Sequence, residues 1–172
     1  MQTDLCKKLG VELPIFAFTH CRDVVVAVSK AGGIGVLGAV GFSPKQLKEE
    51  LDWIDAHIGD NIYGVDTAIP QKYEGQGETD PDKLVEMLQA AIPEQHREFA
   101  EGLLQDHNVP AWPEGDDEVT LSFSEAQAQL LVDEALTREK CRMIVNALGT
   151  PPANIVDQVH QSGRLIGALA GR

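Results

Sequence analysis

Gly33-Ile34-Gly35-Val36-Leu37-Gly38 decides how the rest of this chain is read. The six residues match Gly-x-Gly-x-x-Gly, the fingerprint of dinucleotide-binding folds. There the glycines form the turn from a strand into a helix, and an acidic residue follows about 20 positions on, at the end of the next strand. The context is wrong for that assignment. The preceding body, residues 24–31, ends at Gly32-Gly33, a stop of the kind helices use, so the motif follows a helix. The run 34–40 is apolar, too short for a helix, and suited to a buried parallel strand. Asp52 and Asp55, the acids at the required distance, fall on the amphipathic helix that comes next. The glycines are therefore read as a helix stop and as close-packing positions of a strand. Backbone approach to a ligand at the strand's end is a further use open to them.

On both sides of this strand the pattern alternates. Residues 13–18 carry Leu13, Ile15, Phe16 and Phe18, with Pro14 at the start, where a strand tolerates a missing N–H. Asp23 is expected to cap the helix over 24–31, although Val24-Val25-Val26 by itself favours a strand. Ser43, Pro44 and Gln46 spell a capping box with proline at the first helical position. Leu47, Leu51, Ile54 and Ile58 share one face of that helix, and Gly59 ends it. A third strand is expected over 61–69, and a polar loop over 70–80. Helices follow from Pro81, with Leu84, Val85, Leu88 and Ile92, and over 93–107, with Phe99 and Leu103 four apart. Residues 109–119 hold Pro110, Pro113, Gly115 and an acidic cluster, and read as a loop or linker. Ser124 and Gln127 predict a second capping box, for a helix through Lys140. A fourth strand is expected over 142–148, a helix opened by Thr150-Pro151 and stopped by Gly163, and a fifth strand over 165–170. This alternation predicts a parallel α/β sheet with right-handed crossovers.

The chain has 172 residues, 43% of them hydrophobic and 24% charged, as in one ordinary globular domain. Its 27 acids against 14 Lys plus Arg give a net charge of −13, which would repel a phosphate backbone and argues against nucleic acid as a partner. Cys6, Cys21 and Cys141 are odd in number and form no CxxC pair, which fits reduced thiols in a cytosol. Cys6 and Cys141 read as buried small hydrophobes. No run of signal-peptide or bilayer-spanning character is present, so a cytoplasmic protein without a membrane partner is expected.

No histidine spacing suggests a metal. His57, His96, His107 and His160 are expected near helix C-termini, where a partial positive charge interacts well with the last carbonyls. His20 differs because it directly follows the first strand, and parallel α/β folds place their sites at the carboxyl ends of strands. By the same rule Asp66 and Asn146 are candidate site residues. Each has a structural alternative: a solvated or packing histidine, and two hydrogen-bonding side chains.

Leu5-Cys6-Lys7-Lys8-Leu9-Gly10-Val11-Glu12-Leu13-Pro14-Ile15 and Ala27-Val28-Ser29-Lys30-Ala31-Gly32-Gly33-Ile34-Gly35-Val36-Leu37-Gly38 resemble the start of the nitronate monooxygenase (2-nitropropane dioxygenase) family. Tyr63-Gly64-Val65-Asp66 resembles its third strand, and Met143 to Gly149 with Pro151-Pro152 its fourth. His160, Gly163 and residues 165–170 resemble the next helix and strand.

The resemblance implies an FMN-dependent (β/α)8 TIM-barrel enzyme that oxidises alkyl nitronates with molecular oxygen. The chain would then be a partial barrel domain, 1–172, of about the first five strands, with a loop and helical insertion over 70–123. It implies that Ala17, Phe18, Thr19, His20, Gly38, Asp66 and Asn146 lie near the flavin ring. The family often has Ala-Pro-Met where this chain has Ala17-Phe18-Thr19-His20, so that His20 could add a proton donor. The family's catalytic histidine and its phosphate-binding loops have no counterpart before Arg172; a truncated chain with no assigned catalytic base is expected. Five parallel strands leave two open edges, through which a homo-oligomer could form. The alternatives are an FMN-dependent enoyl-thioester reductase and a non-catalytic, shortened paralogue acting as an interaction protein.

Overall fold

In the computed structural model Ile34–Gly38 is a strand whose five residues are all buried. The structure describes residues 3–69, 80–110 and 125–170. The chain divides into two compact units, Met1–Gln71 with Ser122–Arg172, and Lys72–Leu121. The first holds α1 (Asp4–Leu9), β1 (Phe16–Thr19), α2 (Arg22–Lys30), β2 (Ile34–Gly38), α3 (Pro44–His57) and β3 (Tyr63–Thr67). The second holds α4 (Pro81–Ala90) and α5 (Glu94–Asp106). The first unit resumes with α6 (Glu125–Leu136), β4 (Cys141–Asn146), α7 (Ala153–Gln161) and β5 (Leu165–Ala168).

All five strands pair in parallel, in the order β1-β2-β3-β4-β5. A doubly wound sheet reverses its strand order at the nucleotide crevice; this sheet never reverses. Helices α2, α3, α6 and α7 share one face. Leu37, Tyr63, Val65 and Ile144 from the strands are buried with Val25 of α2, Leu51 and Ile54 of α3, Leu131 of α6, and Ile155 and Val159 of α7. The opposite face carries a separate cluster, Ile34, Val36 and Met143, packed by Leu9, Val11, Ile62, Val145 and Leu165, none of which comes from those four helices. Sequential order with one-sided helices is the wall of a (β/α)8 barrel, here five of the eight strands. Among the described residues β1 pairs only with β2, and β5 only with β4.

The capping box of α3 forms as read: Gln46 N–H donates to Ser43 Oγ at 3.2 Å, and Ser43 N–H donates to Gln46 Oε1 at 2.8 Å. Other boundaries move for identifiable reasons. Leu13 stays outside β1 because its N–H, like that of Glu12, donates to Gly32 O, at 2.9 and 3.1 Å. Cys21 takes the N-cap position of α2 without a side-chain cap bond, and Asp23 lies in the first turn, where its charge still suits the helix's positive end. Helix wins over the strand preference of the valine run because Val25 and Val26 are buried. Helix α7 opens at Ala153, with Pro152 at the cap position; Pro152 pushes Pro151 out of the helical region. His96 lies in the first turn of α5, not near a helix C-terminus. Helix α5 buries none of its residues, and its Phe99 and Leu103 are 69% and 45% exposed. Helix α6 stops at Leu136, short of Lys140, where Thr137 and Arg138 turn back onto Glu134 O and Ala135 O. Ser124 and most of the expected loops, 70–79 and 111–119, lie outside the described residues.

The tightest contact in the wall is at Gly35. A Cβ there would stand 2.4 Å from Val25 O and 2.5 Å from Val25 Cα, both backbone atoms of α2. The Gly35 N–H also donates to the buried Ser29 Oγ of α2 at 3.0 Å. On the other face, a Cβ on Gly167 would meet Val145 Cγ2 at an ordinary 3.8 Å. Gly35→Ala is therefore expected to lower unfolding stability by about 2 kcal/mol or more, because α2 must lift off β2. Gly167→Ala should stay within about 0.5 kcal/mol of the parent. Urea denaturation of the two variants checks this, and equal midpoints would refute it.

Candidate active site at the strand ends

Strand register assembles the site. Thr19 lies beside Leu37, Gly38 beside Asp66, Asp66 beside Val145, and Val145 beside Gly167. On the face away from the helices this gives one row across the sheet, His20-Gly38-Asp66-Val145-Gly167. Beneath it runs a second, Phe18-Val36-Gly64-Met143-Leu165. Such layers fill the interior of a barrel wall, and the upper one faces the end where barrel enzymes carry their sites.

The sequence-derived residues divide between the two faces. Phe18, His20, Gly38 and Asp66 meet on the inner face. A Cβ on Gly38 would stand 2.7 Å from both Phe18 Cζ and His20 Cε1, so the missing side chain gives both rings their place. The rings pack edge to face, with centroids 5.0 Å apart and planes at 84°. His20 Nδ1 lies 3.1 Å from Gly38 O; the carbonyl can only accept, so Nδ1 carries the hydrogen.

Ala17, Thr19 and Asn146 take the other face. Ala17 is in register with Gly35, on the side of α2. The Thr19 hydroxyl accepts from Cys21 N–H at 3.0 Å. The Asn146 amide is committed to loop backbone: Nδ2 donates to Ile69 O at 3.2 Å and Gly149 O at 2.9 Å, and Oδ1 accepts from Ile69 N–H at 2.8 Å. Asn146 joins the ends of β3 and β4 and leaves mainly backbone to offer a ligand.

A cavity of about 270 Å³ opens on the inner face, lined by Phe16, Phe18, Val36, Asp66, Met143, Val145, Gly167, Ala168 and Leu169. Strand parity was the signal for the lining residues that sequence reasoning passed over: Phe16 alternates with Phe18, Val36 with Gly38, and Met143 with Val145. Asp66 is the one ionisable side chain of this lining. It is 2% exposed, and its Oδ1 has no hydrogen-bond partner. Burial pushes its carboxyl from the ordinary 3.8 up to about 6, against an opposing pull from the charge on His20. A protonated Asp66 can donate a hydrogen bond into the cavity, and an ionised one can only accept. Cys6 and Cys141 are buried and Cys21 is exposed. Among the described residues no helix is long and apolar enough to cross a membrane.

No family model matches the chain. It is 44% identical over 176 aligned positions to “Putative monooxygenase Rv1533” of Mycobacterium tuberculosis, covering 99% of this chain and 46% of that protein. It is 32% identical over 72 positions to a “Probable nitronate monooxygenase” of Staphylococcus aureus, covering 40% of this chain and 20% of that protein. The chain thus spans about half the length of the mycobacterial relative. Its fold is similar to FabK from Thermotoga maritima, at a TM-score of 0.58 and 17% identity over 99% of this chain and 38% of that one. It is also similar to nitroalkane oxidase from Streptomyces ansochromogenes, at a TM-score of 0.60 and 16% identity over 98% of this chain and 42% of that one. By sequence the chain is thus related along nearly its whole length to a protein named as a putative monooxygenase, and over 72 positions to proteins named as probable nitronate monooxygenases, with a barrel-wall fold to match.

Proposed function

We propose that this chain forms the flavin-facing wall of an FMN-dependent oxidoreductase that oxidises alkyl nitronates with molecular oxygen. The observation that carries the reading is the buried, unpartnered Oδ1 of Asp66 in an otherwise apolar cavity at the strand ends. An isoalloxazine ring is a flat apolar body with a polar edge, and the cavity offers that pairing of surfaces. Gly38 and Gly167 bring backbone, not side chain, to the rim, which lets a planar ring lie close. FMN, when bound, supplies the redox chemistry.

The chain's own residues bind and shield. Phe18, Val36, Met143 and Val145 exclude water from one side of the ring. Asp66 accepts a hydrogen bond from a ring N–H, or donates one when protonated. Gly38 seats His20 at the rim. Ala17, Thr19 and Asn146 contribute backbone and hold the loops that border the ring. The substrate is a small nitronate, and no residue here is assigned as the catalytic base of the oxidation. The segment 70–123 is an insertion in the barrel domain 1–172. The free edges of β1 and β5 are where further strands, or a second copy of the chain, would pair. The acidic charge and the unpaired thiols fit a cytoplasmic setting.

FMN titrated into the chain is expected to lose fluorescence saturably though weakly, and oxygen uptake with ethyl nitronate is expected when the remaining barrel strands are supplied and to be slight or absent from the chain alone. A chain indifferent to FMN would overturn the proposal and favour a non-catalytic interaction protein. Anaerobic bleaching of bound flavin by NADH or NADPH, without nitronate-dependent oxygen uptake, would favour the enoyl-thioester reductase.

Asp66 also makes a ligand-free prediction. Its folded carboxyl holds a proton up to about pH 6 and its unfolded one only to about 3.8, so stability falls as pH rises through 6. Asp66→Asn removes that dependence. Relative to the parent, the variant should gain about 2 kcal/mol at pH 8 and almost nothing at pH 4. Urea midpoints at the two pH values read the difference, and a gain of the same size at both would refute it.

A further inference from the structure

We propose that α5, in the unit Lys72–Leu121, is a docking surface for a basic, amphipathic helical segment of another protein. Two observations carry it, and neither involves the strand-end cavity or its ligand. The first is an apolar stripe with nothing packed on it. At about 100° per residue, Phe99, Leu103, Ala100 and Leu104 fall on one side of α5, with His96 among them. Phe99, Leu103 and Leu104 are 69%, 45% and 51% exposed, and α5 buries none of its residues. The turn after the helix lengthens the stripe: Asn108 takes a φ of 51°, Val109 N–H donates back to Leu104 O at 2.9 Å, and Val109 is itself exposed. A helix of 13 residues with Gly102 inside it is marginal in water, so packing on its apolar side is what would stabilise it.

The second observation is charge. Residues 72–121 hold 13 Asp and Glu against three Lys and Arg, a net charge of −10 out of the chain's −13. By the same helical geometry Asp106 borders the stripe on the side of Phe99 and Glu101 on the side of Leu104, with Glu94 and Glu98 behind. Among the described residues no ion pair falls to any of these four acids. The cations nearby are already engaged: Lys83 Nζ lies 4.0 Å from Asp80 Oδ2, and Arg97 donates to Gln89 O of α4.

An apolar stripe with acidic borders selects its occupant. A second copy of the chain would set the same negative unit against itself, and nucleic acid or an anionic lipid surface would be repelled in the same way. A wholly apolar partner would strip water from the bordering carboxylates and give them nothing in return. A helix with apolar residues at positions i, i+3, i+4 and i+7, and with Lys or Arg beside them, covers Phe99 and Leu103 and meets the carboxylates at the rim.

The probe is a fluorescein-labelled synthetic peptide of leucine and lysine at that spacing, followed by fluorescence anisotropy as the full chain is added without FMN. Binding should be saturable, should weaken with rising salt, and should weaken about tenfold or more when Phe99→Ser and Leu103→Ser are combined. Both serines replace exposed side chains, so the urea midpoint of the variant should match that of the parent. A peptide of the same composition in scrambled order, and one with glutamate in place of lysine, should each bind at least about tenfold more weakly; these two arms need no variant. Equal binding by the scrambled or the glutamate peptide, or parental affinity in the double serine variant, would overturn the proposal. A dimer of the parent chain in sedimentation velocity that the serine variant abolishes would also overturn it, by giving the stripe to a second copy. Every arm is read without flavin, so the outcome is independent of the proposed oxidation chemistry.

Discussion

Val25 of α2 occupies the space where a side chain of residue 35 would be, and that contact organises the wall. It brings the helix backbone onto the strand and, with the Ser29–Gly35 hydrogen bond, fixes which face of β2 is covered. Once Gly35 and Leu37 face the helices, Ile34, Val36 and Gly38 must face the other way, because successive residues of a strand alternate. Parallel pairing carries the assignment across β1 to β5 and places Phe18, Asp66, Met143 and Val145 on the inner face. The make-up of the inner face is thus a consequence of where a helix had to go. The three spaced glycines that mimic a dinucleotide fingerprint serve three separate contacts: Gly33 near Ile15 O and Val28, Gly35 under α2, and Gly38 under His20 and Phe18.

Local chemistry made much of this legible in the sequence. The capping box at Ser43 and Gln46 and the apolar stripe of α3 need only neighbours along the chain, and both are found as read. A rule about parallel folds placed His20, Asp66 and Asn146 at strand tips and the family resemblance added Phe18 and Gly38; of these, Phe18, His20, Gly38 and Asp66 come together. What stayed hidden was facing. Tyr63-Gly64-Val65-Asp66-Thr67 is buried throughout, so it lacks the apolar–polar alternation that would show which way Asp66 points. A register shift between Tyr63 and Gly64 breaks simple counting as well. Asn146 and Asp66 look alike in sequence, as polar residues ending apolar strands. Only the pairing shows that one ties loops together and the other enters the cavity.

The two ends of the sheet treat charge in opposite ways. Before β4, Arg138 bridges Asp52 and Glu134 and lies 3.7 Å from Asp55. Lys140 donates to Asp55 O at 2.8 Å, and Arg164 donates to Cys141 O and Arg138 O at 2.7 and 2.9 Å. Single atoms of Asp55 and Arg138 go unpaired there, yet each belongs to a residue inside a neutralising cluster. This end joins α3, α6 and the start of β4, a stabilising role of the kind the N-terminal face of a barrel performs.

At the other end Asp66 has apolar neighbours and an oxygen with no partner, an arrangement that folding alone would select against. A leucine or asparagine would serve the core as well or better at neutral pH. Retaining a carboxyl whose proton is held up to about 6 makes sense where something else supplies the missing hydrogen bond, or uses the proton. Its neighbour across Gly38 is an imidazole whose tautomer is set by a strand carbonyl. A buried carboxyl and an exposed imidazole therefore share a single row, separated by a residue that has no side chain. The same absence of a side chain that seats the imidazole leaves the gap through which a ligand could touch both.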